Sequence, residues 1–360
     1  MDELHVEVLV IGWGKGGKTL AASLGRAGTS VAVVERSSDR YGGGCINVAC
    51  VPTKDLIHSA AQRRADDDPQ AWFSRAVGER DTLTAQLRAR NHAMLAGVEA
   101  VTLIDGEARF VGPREVEVTA GADRLSVHAD RIVINTGTVP FWPDYATASE
   151  SRRIFDSEGI QHVDPLPRRL VVVGGGYVGI EFAGMFAGFG SHVTLVDRNA
   201  EWMREEDRDV AEAVAGVLRD AGVEFALGAE VDAVEDVDGG VHVRLREGER
   251  VRRLEADAVL VATKEVNAIA AMPRPKIVGE TRGLIKVIVD AENERVLGAT
   301  VFSVDAQELI NLLALAIREG VSASALRDGI WTHPRRRRPS TRCWRSCARL
   351  RLRRRARRGR

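Results

Sequence analysis

No apolar run in this 360-residue chain reaches the roughly 20 residues that a membrane-spanning helix requires. The first residues, Met1 to His5, are acidic rather than basic and lead straight into β-branched sequence, which is unlike a secretory signal. Cysteine is scarce, with four in all. No second cluster of Cys and His in the body of the chain joins Cys45 and Cys50, so a four-ligand zinc site stays incomplete. These absences predict a cytoplasmic protein with no resident metal. In that compartment a cysteine pair is more often catalytic than structural.

Acids and bases balance at 51 each, but unevenly along the chain. Residues 335–360 hold 14 arginines and no acid, which leaves the remainder with 37 bases against 51 acids. A hydrophobic share of 44% supports real cores, and the length suits two or three domains.

Residues 5–35 follow a strand, glycine-turn, helix, strand plan. Residues 6–11 are apolar and β-branched, Gly12, Gly14 and Gly17 spell G-x-G-x-x-G, and a second strand at 31–34 closes on Glu35, 23 residues after Gly12. Glycines at those places let backbone approach a pyrophosphate at a helix N-terminus, and an acid at that distance is set to accept hydrogen bonds from a ribose. After a linker with Pro140, Pro143, Pro165 and Pro167 the plan repeats. Gly174, Gly176 and Gly179 follow a strand at 170–173, and Asp197 again stands 23 residues after the first glycine. Two fingerprints at one spacing predict two nucleotides on two Rossmann-like domains. Residues 55–100 read as largely helical with a polar break at 66–69, and residues 101–134 as short strands turning at Asp105-Gly106 and Gly121.

Residues 41–54 read Tyr-Gly-Gly-Gly-Cys-Ile-Asn-Val-Ala-Cys-Val-Pro-Thr-Lys. Five residues of regular helix separate Cα atoms by roughly 8–9 Å. A disulfide needs less than about 7 Å. Pairing of Cys45 with Cys50 therefore demands a distorted turn, which Pro52 favours. A pair strained in this way suits cycling between thiol and disulfide. A structural bridge and half of a zinc site are the alternatives.

The pattern Gly-Gly-x-Cys-x-Asn-x-x-Cys-x-Pro-x-Lys resembles the redox motif of the flavin disulfide reductases, the pyridine nucleotide–disulfide oxidoreductases that include glutathione reductase, dihydrolipoyl dehydrogenase and mercuric reductase. Residues 11–20 are most similar to the reactive-chlorine-resistance branch, whose members reduce hypothiocyanous acid or copper. The resemblance implies an α/β fold with two glutathione-reductase-type nucleotide-binding domains and an α+β dimerisation domain. It implies FAD on Gly12, Gly14, Gly17, Glu35, Gly44 and Lys54. Ala108, in the Asp-Gly-Glu-Ala-Arg-Phe strand whose backbone meets the adenine, and the Thr136-Gly137 turn belong to the same site. NAD(P)H falls on Gly174, Gly176, Gly179 and Asp197. Asp197 favours NADH, although Arg198 beside it suits a 2′-phosphate. Tyr177 would cover the nicotinamide pocket and Glu181 would pair with Lys54; a packed aromatic and an exposed acid are the plainer reading. Cys50 would be the thiolate against the flavin and Cys45 the sulfur that attacks substrate, with Lys54 lowering a thiol pKa. Substrates implied are a small oxidant, a disulfide, or a metal ion such as Hg(II) or Cu(II). The family is homodimeric, and its His-Pro motif, here His333-Pro334, sends an acid–base histidine into the partner's site.

The expected organisation is an FAD-binding domain at 1–145, an NAD(P)-binding domain at 146–263, a shortened dimerisation domain at 264–334 and a disordered Arg-rich tail at 335–360. The pattern breaks after residues 258–263. No Gly-Asp dipeptide occurs anywhere, although the family uses one on the flavin ribityl chain. The second flavin segment and the start of the interface domain are therefore expected to be missing as one block, which makes an inactive, weakly nucleotide-binding remnant the alternative function and puts the homodimer in question. Arg338 stands where the family has the glutamate that orients the histidine, so His333 is either an unoriented base or idle. The tail, with Cys343, Trp344 and Cys347, fits out-of-frame reading of a G+C-rich gene, given 45 Arg against 6 Lys. A nucleic-acid arm and a metal-receiving cysteine pair are the other readings.

Overall fold

The computed structural model describes residues 2–146, 151–262, 284–290, 293–302 and 306–328. Their contacts form two units, one from the described residues of 1–203 and 218–268, the other from those of 204–217 and 269–360.

The first unit opens with β1 (Asp2–Ile11), α1 (Lys15–Arg26) and β2 (Val31–Glu35). Then come α2 (Gly44–Asn47), α3 (Cys50–Gln62), α4 (Pro69–Ala96), β3 (Val101–Asp105), β4 (Glu107–Gly112), β5 (Glu115–Ala120) and β6 (Asp123–Ile134). The polar break at 66–69 is a helix boundary: Asp68 accepts the Ala71 N–H at 2.8 Å and Pro69 occupies the first turn of α4, where its missing N–H costs nothing. The strands lie in the order β3-β2-β1-β6-β5-β4, with β3, β2, β1 and β6 parallel. Val8 to Ile11 and all of β2 are buried, as parallel strands covered on both faces require. On one face Val8, Val10, Val31 and Val33 pack with Ala21, Ala22, Leu95 and Val98 from the helical side. On the other, Leu9, Ile11, Ala32 and Val34 pack with Val116, Val118 and Val127 from β5 and β6.

The second half repeats this plan with β7 (Ile154–Phe155), β8 (Arg169–Val173), α5 (Tyr177–Phe189), β9 (His192–Asp197), β10 (Glu224–Leu227), β11 (Glu230–Val237), β12 (Gly240–Glu247), β13 (Arg250–Ala256) and β14 (Ala258–Val261). Its parallel sheet runs β10-β9-β8-β14-β7, and the β11-β12-β13 meander packs Val231, Val234, Val243 and Leu245 against Val171, Val173, Val259 and Val261. One difference matters. The outer edge of β14 is paired by β7, with Val259 opposite Ile154. In β6, residues 130–134 have β1 on one side and, among the described residues, no strand on the other. Ile134 there is 68% exposed, followed by Val139 at 73% and Phe141 at 51%.

The second unit holds most of α6 (Arg208–Asp220), the antiparallel pair β15 (Leu284–Val289) and β16 (Val296–Phe302), then α7 (Ala306–Arg318) and α8 (Ala323–Asp328). Val296, Leu313, Ala316 and Leu326 form its core. No helix among the described residues is long and apolar enough to cross a membrane.

Candidate active site

The two glycine turns are built alike. Gly12 and Gly174 sit at φ +97° and +109°, a region that favours glycine. Their N–H groups donate to Val34 O and Val196 O at 2.7 and 2.8 Å. Glu35 accepts the N–H groups of Trp13 and Ser37 at 3.1 and 3.3 Å; Asp197 accepts those of Gly175 and Asn199, both at 2.8 Å. Each acid thus clasps its own turn from the end of the second strand. The turns differ in room. A Cβ on Gly176 would meet open space, whereas one on Gly14 would lie 2.8 Å from Asn135 Nδ2. Asn135 braces the first turn by donating to Gly12 O and Gly14 O at 3.3 and 3.1 Å.

The cysteine loop sits on the first turn. A Cβ on Gly43 would lie 2.6 Å from Gly14 Cα, so two backbones touch where the motifs meet. Between the cysteines the helix breaks: α2 ends at Asn47, Val48 and Ala49 leave helical geometry at ψ −4° and −109°, and α3 begins at Cys50. This is the distortion the spacing predicts. Asn47 holds the glycine run by donating to Tyr41 O and Gly43 O, both at 3.0 Å, and accepts Arg88 Nε at 3.1 Å. Gln161, 1% exposed, donates to Val48 O at 2.8 Å and to Ser157 O at 2.7 Å, and thereby pins the kink from the linker. Arg80, equally buried, donates to Gln161 O at 3.1 Å.

Helices α3 and α5 lie side by side in parallel register. Lys54 and Glu181 are 2.5 Å apart, and further along a Cβ on Gly188 would meet Ala60 Cβ at 3.1 Å. Each member of the ion pair stands four residues beyond its helix start, Cys50 or Tyr177, so the redox loop and the second glycine turn open at the same end. Tyr177 is 43% exposed there. The ion pair is one-third exposed or less on both sides, between the free surface, where pairs contribute about 0–1 kcal/mol, and the interior. A Lys54→Met and Glu181→Gln double-mutant cycle, read by urea unfolding, is expected to give a coupling of about 1 kcal/mol.

Both cysteines are free thiols at the surface, and they hydrogen-bond to each other. Although the residue is exposed as a whole, partial desolvation raises the pKa of Cys45. The hydrogen bond to Cys50 and repulsion from its thiolate add to this, and Lys15 and Lys18 oppose it. These lysines come from the first glycine turn, whereas Lys54 is engaged with Glu181. Lys18 also donates to Gly42 O at 3.4 Å and to Asn91 Oδ1, and its own pKa is lowered, chiefly by burial. A raised thiol pKa means less thiolate at neutral pH. Iodoacetamide labelling of Cys45 in the reduced chain is therefore expected to have its pH midpoint above that of an ordinary cysteine, to fall in Cys50→Ala and to rise further in Lys15→Ala.

Thr136 and Gly137 follow β6 beside the first turn, with Thr136 Cα 3.1 Å from a Cβ on Gly12. Ala108 packs its side chain into the core of β1 and β5. Gly44 opens α2. His333 and the tail lie outside the described residues. Sequence reasoning missed Lys15, Lys18, Asn135 and Gln161. The lysines were visible inside G-W-G-K-G-G-K, but nothing in the spacing says that they face Cys45.

The sequence profile described as "Pyridine nucleotide-disulphide oxidoreductase" matches residues 6–284, and the profile of that family's dimerisation domain matches residues 251–338. The chain belongs to the pyridine nucleotide-disulphide oxidoreductases. The probable pyridine nucleotide-disulfide oxidoreductase RclA of Escherichia coli (strain K12) is 31% identical, covering 91% of this chain and 96% of the relative. That pairing spans 434 positions, more than the 360 residues present, so the relative holds sequence that this chain lacks. Mercuric reductase of Serratia marcescens is 30% identical, covering 92% and 74%. Among solved structures, the Cu(II) complex of a cysteine-to-serine mutant of the HOCl-induced flavoprotein disulfide reductase RclA from Escherichia coli superposes with TM-score 0.84 at 27% identity, covering 97% of this chain and all of that one.

Pyridine nucleotide-disulphide oxidoreductases use FAD and NAD(P)H, and the two turns suit such groups. Neither α1 nor α5 has a side-chain cap, since Gly14 and Gly176 hold the cap positions, so their first-turn N–H groups are open to a phosphate. The family's chemistry makes the chain an enzyme of the flavoprotein oxidoreductase class.

Proposed function

We propose that this enzyme carries two electrons from NADH to the Cys45–Cys50 disulfide and from the dithiol to a small oxidant, a disulfide or a thiophilic metal ion in the cytoplasm. The shared opening of α3 and α5 carries this reading. The register set by Lys54–Glu181 brings the cysteines and the nicotinamide fingerprint to one end of the helix pair. FAD would rest on the first turn with Gly12, Gly14, Gly17 and Glu35, and NADH on the second with Gly174, Gly176, Gly179 and Asp197. When bound, these groups supply hydride and two-electron chemistry. In balance, the S–S bond breaks, two electrons from NADH and two protons convert it to two thiols, and NAD+ leaves. Cys45 then attacks the oxidised substrate as a thiolate, and Cys50 closes the disulfide again as the substrate departs reduced. Gln161 and Asn47 hold the kink that keeps the two sulfurs within reach. The dimerisation domain supports a homodimer in which each partner supplies its His333.

Asp197 ends β9 with one oxygen on the Gly175 N–H of the turn and the other on Asn199, so a 2′-phosphate beside it would meet like charge. Specificity kcat/KM for NADH is expected to exceed that for NADPH by about tenfold or more. The reading is tested by purifying the full chain, recording its visible spectrum and following NADH oxidation with disulfide, hypothiocyanous acid, Hg(II) and Cu(II) acceptors. A yellow protein that turns over at least one of them supports it. A colourless protein that stays colourless after FAD is added overturns it in favour of a remnant.

A further inference from the structure

We propose that the outer end of the first sheet binds one divalent cation of the imidazole-seeking class, Zn(II) or Ni(II), through Glu3, His5 and His128, with Glu115 completing the set. The parallel register of β1 and β6 sets His5 directly against His128, and their rings stack with centroids 4.8 Å apart and planes 11° from parallel. Glu3 lies two residues before His5 and therefore on the same face. Its carboxylate is 3.8 Å from His5 Nε2. One ligand atom from each of the three lies within 4.8 Å of the others. Among the described residues no other group of three His, Cys, Asp or Glu side chains converges in this way.

The third strand adds to the site. Glu115 of β5 stands opposite His128 in antiparallel register, with Oε1 3.9 Å from His128 Nε2. The hydroxyl of Ser126, itself 5% exposed, donates to that same Oε1 at 3.0 Å and fixes the carboxylate. Such outer hydrogen bonds orient metal ligands. Ligands on a tetrahedral zinc lie about 3.4 Å apart, given bonds of about 2.0–2.2 Å. Separations here run up to 4.8 Å, so ion binding would draw these side chains together by rotation. Two imidazoles and carboxylates select Zn(II) or Ni(II) over hard cations such as Mg(II).

This site is separate from the redox loop. His5 precedes Gly12 by seven residues of β1, roughly 23 Å at ~3.3 Å per residue. The four residues come from positions 3, 5, 115 and 128, which is why no spacing in the sequence announced them. A cation here would clip the first strand to the β5–β6 pair.

The test is calorimetric titration of the full chain with ZnCl2 and with NiCl2, after all four thiols are blocked with iodoacetamide. One ion per chain is expected to bind in the micromolar range. His5→Gln and His128→Gln should each weaken binding by roughly tenfold or more, since loss of even an outer-shell partner costs about 10–100-fold. His58→Gln, on an exposed histidine elsewhere, should leave binding unchanged. Zn(II) should raise the melting temperature of the wild type and not that of the His5→Gln/His128→Gln double variant, with circular dichroism confirming that both are folded. Absence of saturable binding below about 1 mM, the level of a weak contact, or full binding by the double variant, overturns the proposal.

Discussion

Replacing Cys45 or Cys50 with serine is expected to lower NADH-driven substrate reduction by roughly 10³-fold or more, as loss of a covalent nucleophile does in other enzymes. In the proposed cycle each sulfur is one half of a bond that breaks and re-forms at every turnover. Serine keeps the size and the hydrogen bond between the two side chains but cannot form that bond. Both residues are exposed, so the variants should melt within a few degrees of wild type. A loss of turnover with an intact fold assigns the sulfurs to chemistry. Turnover above about a tenth of wild type in either variant would remove the pair from the reaction.

Gly179→Ala should have the next largest effect. A Cβ there would lie 1.9 Å from Gly174 O, a backbone atom of the turn itself, so the turn must open. The expected result is destabilisation of about 3 kcal/mol, as overpacking costs, with loss of NADH binding. Two controls separate fold from ligand. At Gly17 a Cβ would press the side chains of Asn135 and Val10, each at 2.6 Å, so Gly17→Ala should be milder and should act on FAD retention. At Gly176 the φ is −77° and a Cβ would meet nothing within 4 Å. Gly176→Ala should therefore leave the melting temperature unchanged while raising the KM for NADH about tenfold or more, because the new methyl projects where a pyrophosphate would approach. Equal NADH affinity in Gly176→Ala and wild type would place the nucleotide elsewhere.

Much of this was legible in the chain. A glycine turn and an acid 23 residues later are local features, and local sterics fix them: Gly12 and Gly174 both adopt positive φ, and Glu35 and Asp197 both clasp the turn that precedes them. The break between Cys45 and Cys50 was expected from their spacing on the condition that the two sulfurs pair. The helix boundary at Asp68-Pro69 falls inside the polar break read at 66–69. What stayed hidden depends on distant residues. Gln161 reaches back 113 positions to Val48 O, and Asn135 reaches back 121 to Gly14 O. Their side chains carry no local signal, since a glutamine in a linker and an asparagine after a strand are ordinary. The uncovered stretch of β6 is a third case. The missing Gly-Asp pointed to absent sequence, but only the comparison of β6 with β14, whose outer edge β7 covers, shows which strand edge is unpaired among the described residues. Ile134, Val139 and Phe141 are each more than half exposed, and exposed apolar residues of this kind promote association.

The most direct measurement is an anaerobic count of thiols in the oxidised, FAD-loaded chain before and after one equivalent of NADH, with alkylation and peptide mass mapping to locate them. Two new thiols per bound FAD, both mapping to Cys45 and Cys50, are the expected result. Consumption of NADH with no new thiol at either position would contradict the assignment of those two sulfurs as the electron acceptor within the chain.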